Sequence, residues 1–351
     1  MESPVTARKV ELSYEVDVKG LTRVKYEREG WSYCTLGGHR VHFAEAGDRG
    51  GPVVVLVHGY GASCYHWRYQ FRALADAGFH VFAIDMIGFG LSEKAAIDYS
   101  NGAPWVAQIQ EFVERVVQPD APVVLVGNSL GAYASLSTAA ARPDLVRAVA
   151  MLNGAGPTRD PSRPPPIPSP LLDPIRTAFK RVVLFFGFLF AKQPQRIKQV
   201  LDFVYVNKDQ LDADLVTSIQ VPATDPAAAD VFFRVNNQQG KPKYVDDMLE
   251  GFTMPLLLLY GELDPWVVPQ RGRKVKGLYP AADLRFIPSG HCPHDDTPEL
   301  TNVELINWLT AVTGDGSGST TSSVAEALHI VREALSTHLN CLCYIDTIAY
   351  V

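Results

Sequence analysis

Pro122-Val-Val-Leu-Val-Gly-Asn-Ser-Leu-Gly-Ala132 is an apolar run of strand character that ends in Gly-x-Ser-x-Gly and passes into a small-residue helical pattern. A serine at such a strand-to-helix turn sits in a strained backbone with its hydroxyl exposed above a parallel sheet. The flanking glycines are needed because side chains there would strike the adjoining strand and helix. The string alone is short enough to arise by chance. Its position between a buried strand and a helix gives it weight, and it marks Ser129 as a candidate nucleophile.

Working outward, further apolar runs of parallel-strand character occupy 53–57, 80–84, 146–152, 256–260 and 284–287, and a hairpin is expected at 31–35 and 39–46 around Gly37-Gly38. Helical patterns at 67–77 and 105–117 separate some of these strands. Strand alternating with helix predicts an α/β fold with a mostly parallel, doubly wound sheet covered on both faces.

One connection is too long for a simple crossover: about 100 residues separate Asn153 from Leu256. It opens with a proline-rich stretch, 157–174, that suits neither a helix nor a central strand. Helical patterns follow at 175–190, 195–204 and 212–219, so an inserted helical cap is expected over the carboxyl ends of the strands. The expected organisation is an N-terminal extension (1–30), a core (31–156 and 252–312), a cap (157–251), and a linker with an amphipathic tail helix (313–351). Two placements stay open for that tail: docked on its own domain, or on a membrane or partner.

The chain has 351 residues, 47% of them apolar, and a net charge of −6. It carries no basic block interleaved with aromatics, so nucleic acid is not an expected partner. Five cysteines form no even framework and point to a reducing compartment. Cys341-x-Cys343 has no zinc-type partner spacing, and no metal or cofactor is expected. No run reaches transmembrane length, and the printed start reads as neither a secretory signal nor a transit peptide.

A serine hydroxyl needs a base, and the base needs an orienting acid. Asp264 follows the strand 256–260, and His291 follows the strand 284–287, in the order Ser129, Asp264, His291. His294 competes as base and is otherwise assigned to the substrate pocket. Glu262 competes weakly as acid. Backbone N–H groups of Tyr60 and Leu130 are the expected oxyanion donors. His58 reads as a loop-packing histidine, and Asp85, which precedes the serine, as structural. Trp67, Trp105, Phe185, Phe188 and Trp266 complete the expected pocket.

Together these residues resemble the α/β-hydrolase superfamily over about 31–312. More narrowly, the chain is similar to the plant and algal chlorophyll dephytylase and pheophytinase group. The similarity rests on Gly61-Ala-Ser-Cys-Tyr-His-Trp-Arg-Tyr69, Asp85–Ser92 with Glu93-Lys94-Ala95, Gly127-Asn-Ser-Leu-Gly131, Ala191-Lys-Gln-Pro194, Pro222-Ala-Thr-Asp-Pro226, Leu263-Asp-Pro-Trp-Val267 and Gly290-His-Cys-Pro-His-Asp295. Arg181-Val-Val-Leu184 leading into Ala191 is closer to the dephytylase pattern. Members of the group carry a plastid transit peptide, and the tail beyond 313 has no recognised counterpart there.

The resemblance implies hydrolysis of the phytyl ester of chlorophyll or pheophytin in chloroplasts, at the thylakoid, with Ser129 as nucleophile, Asp264 as acid and His291 as base. Any magnesium belongs to the pigment. Peripheral membrane contact through the cap or tail is compatible with the apolar run 182–191 and its basic flanks Lys180, Arg181 and Lys192, as is a cap helix packed on the core. Alternatives are a pheophytin-specific enzyme, a carbon–carbon bond hydrolase of ring-cleavage products, and a slow-turnover ligand receptor.

Overall fold

Val54 and Leu56 point to one side of a sheet, Val55 and Val57 to the other, and all four are fully buried. A strand covered on both faces has no solvent side, which is why the sequence reads as a continuous apolar run. This strand lies near the middle of an eight-stranded sheet in a computed structural model that describes residues 10–159, 173–237 and 243–314.

In chain order the strands are β1 (Tyr14–Val16), β2 (Thr22–Val24), β3 (Ser32–Leu36), β4 (His39–Ala46), β5 (Val53–Val57), β6 (His80–Ile84), β7 (Val123–Asn128), β8 (Val146–Leu152), β9 (Leu256–Gly261) and β10 (Asp283–Ile287). The helices are α1 (Gln70–Asp76), α2 (Ala103–Phe112), α3 (Leu130–Ala141), α4 (Asp173–Ala191), α5 (Pro194–Val204), α6 (Ala213–Ala223), α7 (Ala228–Asn236), α8 (Val245–Leu249), α9 (Pro269–Leu278), α10 (Pro293–Asp296) and α11 (Pro298–Thr313). The main sheet has the order β10-β9-β8-β7-β5-β6-β4-β3. Strands β5 to β10 pair in parallel, and β4 joins β3 and β6 antiparallel.

The order reverses between β5 and its neighbours: the chain moves from β5 out to β6, then returns to place β7 on β5's other side. At such a switch point the loops leaving two adjacent strands diverge and open a crevice at their carboxyl ends. The loop after β5 carries Tyr60, and the turn after β7 carries Ser129. Topology alone therefore brings these two distant segments together.

Helices α2, α3, α8 and α9 cover one face of the sheet, through residues such as Ile109, Leu136, Met248 and Val275. Helices α1 and α11 cover the other, through Phe71, Leu74, Leu305 and Trp308. Helices α4 to α7 form the inserted cap, which has a small apolar centre of its own around Ile197, Leu201 and Leu215.

The differences from the sequence expectation have local causes. The extension holds a hairpin, β1–β2, whose strands are three residues long and too short to show alternation. The helix expected over 67–77 is split into a tight turn, Cys64–Trp67, and α1, with Arg68 buried between them. The pattern at 105–117 starts earlier, at Ala103, and ends in a wide turn closed by Gln118 at φ +47°. Helices α7, α8 and α9 carry no specific expectation from the sequence; α7 and α8 are short, at nine and five residues, and α9 has only Val275 and Leu278 as large apolar residues. Most of the proline-rich stretch and of the expected tail helix lies outside the described residues.

Candidate active site

Ser129 stands between β7 and α3 with φ +51° and ψ −114°, a backbone that costs a non-glycine residue about 1–3 kcal/mol. The elbow is tight enough to exclude side chains on either side. A Cβ on Gly127 would lie 2.4 Å from the Gly131 carbonyl carbon, and one on Gly131 would lie 2.2 Å from the Val57 oxygen. The Ser129 N–H donates to Leu152 O at 3.0 Å, anchoring the turn to β8.

His291 Nδ1 lies 2.7 Å from Asp264 Oδ2. That contact places the ring proton on Nδ1 and leaves Nε2 as the acceptor. Asp264 is buried and satisfied on both oxygens: Oδ2 also accepts from Asn153 Nδ2 at 2.6 Å, and Oδ1 accepts from the N–H groups of Trp266 and Val267 at 2.7 and 3.0 Å. Burial pushes this carboxyl up, but the His291 contact, the Asn153 amide and the backbone donors outweigh it and hold it below the usual range. Ser129 and His291 line one cavity of about 450 Å³, roofed by Ile197, Leu201, Val204 and Ile219 of the cap.

The oxyanion candidates flank this cavity. Leu130 is the first residue of α3, so its N–H has no partner within the helix. The Tyr60 loop is pinned by buried His58, whose Nδ1–H donates to Gly59 O at 2.7 Å while Nε2 accepts from Met86 N–H at 3.0 Å. Burial lowers the pKa of His58, in keeping with a neutral ring that uses one nitrogen as donor and the other as acceptor. The Tyr60 ring reaches the cap, where its hydroxyl accepts from Asn236 Nδ2 at 2.6 Å.

Several expected pocket residues lie elsewhere. His294 is buried, is not part of the wall of the Ser129 cavity, and faces Trp67 with ring centres 4.1 Å apart. Both its nitrogens lack hydrogen-bond partners, and burial drives its pKa well below the usual value. Trp67 is likewise interior, because the α10 turn folds His294 inward onto it. Trp105 donates its indole N–H to Ile87 O at 2.9 Å and supports the 85–92 loop from below. Phe185 points outward against Phe186. Trp266 does line the cavity, with its ring 5.2 Å from that of His291. Phe188 lines a smaller adjoining chamber of about 140 Å³, beside Phe232 and Phe89. The competing acid Glu262 is exposed.

Asp85 is buried beneath its own turn. It accepts from His42 Nδ1 at 2.7 Å and from the N–H groups of Cys64 and Leu91, each at 2.6 Å. His42, Cys64 and Asp85 are close enough to suggest a metal, yet His42 Nε2 already accepts from Trp31 N–H at 2.9 Å. Both histidine nitrogens are therefore committed to protein, and the cluster reads as a structural knot.

The sequence leaves Asn128 open between tuning the pocket and fitting the turn, and gives Asn153 no role. Asn153 directly follows β8, beside β9, and reaches Asp264, while its Oδ1 accepts from Gly261 N–H at 3.0 Å. Asn128 Nδ2 donates to Leu152 O and His291 O, at 3.1 and 3.0 Å, so it ties the serine strand to the histidine loop. A polar residue closing an apolar strand at the carboxyl edge was the available signal for both.

This sheet order, serine turn and buried carboxylate–imidazole pair are those of a hydrolase, and the chain belongs to the alpha/beta hydrolase fold family, whose model matches residues 52–298. Among curated relatives, chloroplastic pheophytinase from Arabidopsis thaliana is 31% identical over 318 residues, 77% of this chain and 64% of that protein. The chain thus spans just under two-thirds of that relative's length. Bifunctional epoxide hydrolase 2 of Rattus norvegicus is 38% identical over 117 residues, covering 33% of this chain and 20% of that protein. Among solved structures, a serine hydrolase involved in carbazole degradation matches with a TM-score of 0.64 at 22% identity, covering 80% of this chain and 98% of the other. That likeness bears on the fold alone.

Proposed function

We propose that the chain is a serine hydrolase of carboxylic esters that releases phytol from chlorophyll-type pigments. The observation that carries the chemistry is the 2.7 Å contact between Asp264 and His291 in the same cavity as the strained Ser129. The similarity to a chloroplastic pheophytinase supports the substrate class and a chloroplast location. The cavity walls are mostly apolar, as a pigment ester requires.

In this reading, His291 Nε2 takes the Ser129 proton as Oγ attacks the ester carbonyl. The Tyr60 and Leu130 N–H groups hold the resulting oxyanion, each contributing about 3 kcal/mol. The imidazolium, held by Asp264, protonates the departing phytol oxygen. Water then enters, gives a proton to His291 and cleaves the acyl-enzyme, which regenerates Ser129 and frees the pigment acid. The smaller chamber beside Phe188 and Phe232 is apolar and, at about 140 Å³, takes part of the phytyl chain.

The test is incubation of the purified protein and its Ser129→Ala variant with chlorophyll and with pheophytin. Chlorophyllide or pheophorbide together with free phytol is expected from the intact protein alone, and the ratio reports which pigment is preferred. No de-esterified pigment from the intact protein would sink the proposal.

A further inference from the structure

Helix α4 carries its apolar stripe on the wrong side for a globular protein. Phe179, Val182, Val183, Phe186 and Phe190 recur at three- and four-residue spacing and so share one face. Such a stripe ordinarily turns toward the core. Here it faces solvent: Phe179 is 71% exposed, Phe186 64% and Phe190 57%. Phe188, from the opposite side of the same helix, is the one turned inward, onto Phe232 with ring centres 5.2 Å apart.

The apolar surface continues across α5. The Arg196 guanidinium lies 4.1 Å over the Phe190 ring, and Val200 and Phe203 are exposed on the same helix. Val200 is also part of the wall of the cavity that holds Ser129. Across the mouth of that cavity, Trp266 and its neighbour Leu263 are exposed as well. The patch therefore ends on the rim of the candidate active site. Exposed apolar surface of this extent marks an interaction face.

Charge identifies the occupant. Helices α4 and α5 carry six cations (Arg176, Lys180, Arg181, Lys192, Arg196 and Lys198) against two carboxylates, Asp173 and Asp202, within a chain of net charge −6; of these cations Arg181 pairs with Asp230 and Lys198 with Asp202. Cations flanking an apolar stripe suit a helix lying at the boundary between anionic headgroups and acyl chains, because their stems can follow the apolar surface while their charges stay at headgroup level. A second copy of the chain would set two such cationic faces against each other. The segment 315–351 follows α11, whose last residue, Thr313, shares a surface pocket with Val53 at the amino-terminal end of β5, whereas the cap lies over the carboxyl ends of the strands.

We infer that the outer face of α4 and α5 docks on an anionic bilayer, with the mouth of the Ser129 cavity opening onto the lipid. Flotation reads docking without turnover of a pigment ester, so its failure and failure of the hydrolase reading are separable.

The test is flotation of the full chain with phosphatidylcholine vesicles, with and without phosphatidylglycerol. The protein is expected to float with the phosphatidylglycerol-containing vesicles and to be released as salt rises. Val182→Glu with Phe186→Glu should lower the partition by about tenfold or more, with melting temperature and hydrolysis of a soluble p-nitrophenyl ester unchanged. Phe203→Glu, on the neighbouring helix, is an independent second variant should the first fail to fold. An unmodified chain that stays unbound, or variants that float equally well, would overturn the inference. It would also be overturned if the substitutions expose residues 315–351 to protease in lipid-free protein, since the tail would then be what covers the face.

Discussion

Asn153 donates from Nδ2 to Asp264 Oδ2 at 2.6 Å, the same oxygen that faces His291 Nδ1 at 2.7 Å. Two donors on one oxygen hold the carboxylate in place against the imidazole. Asn153 therefore acts as a positioning residue. Removing a hydrogen bond to a charged group costs about 1.5–3 kcal/mol, so Asn153→Ala is expected to lower kcat by about tenfold or more while KM for a small ester stays within about twofold. Steady-state kinetics check this split. A rise in KM alone would mean that Asn153 shapes the pocket instead.

The serine turn predicts a conflict between stability and activity. Ser129 is held at φ +51°, which glycine adopts without strain. Ser129→Gly and Ser129→Ala should both lose activity by a factor of about 10⁴ or more. The glycine variant should be about 1 kcal/mol more stable than the alanine variant, as measured by urea unfolding.

Buried neutral histidines predict acid sensitivity. Burial lowers the pKa of His66 to about 3, from an ordinary value of 6.5. The unfolded chain therefore binds the proton that the folded chain refuses, and stability falls as pH drops below about 6.5 toward the folded value. The loss for His66 alone is at most about 1.4 kcal/mol per pH unit, or about 2 kcal/mol between pH 6.5 and 5. His66→Leu should flatten the dependence of melting temperature on pH in that window. An unchanged slope would show that His66 is protonated without opening the fold.

Arg68 predicts how the cap is rooted. It is fully buried and donates to Asp295 at 2.6 Å and to Asp212 at 2.7 Å, which joins the core, the histidine loop and the cap. Asp212 also pairs with Arg23 of β2, and Tyr205 donates to Asp295 at 2.9 Å. Taking away one member of a buried ion network strands the remaining charge, so Arg68→Ala should cost about 3–5 kcal/mol in urea unfolding. A loss under about 1 kcal/mol would mean that water replaces the guanidinium.

The sheet was legible because its signal is local. Runs 53–57 and 123–126 are apolar throughout, 80–84 and 146–152 are so apart from His80 and Arg147, and turn residues bound them, so strand identity follows from composition. The same holds for Ser129, whose glycine neighbours report a backbone clash that depends only on the turn. The order of Asp264 and His291 after their strands was likewise readable, since chain order and strand ends are one-dimensional facts.

What stayed hidden depends on direction. His294 and His291 are three residues apart on one loop, and no property of the string says that the first faces Trp67 and the second faces Asp264. The six aromatic and histidine candidates for the pocket divide the same way: Trp266 reaches the main cavity and Phe188 the smaller chamber, while Trp67, Trp105, Phe185 and His294 point elsewhere. Asn128 and Asn153 act through carbonyl and carboxylate partners more than 100 residues away. The sequence by itself determined the elements, their order and the chemistry available at the strand ends, because these follow from local sterics and burial. Tertiary structure alone decided which side chains converge, and it turned an apolar helix face to solvent, because side-chain direction is set by neighbours that are distant along the chain.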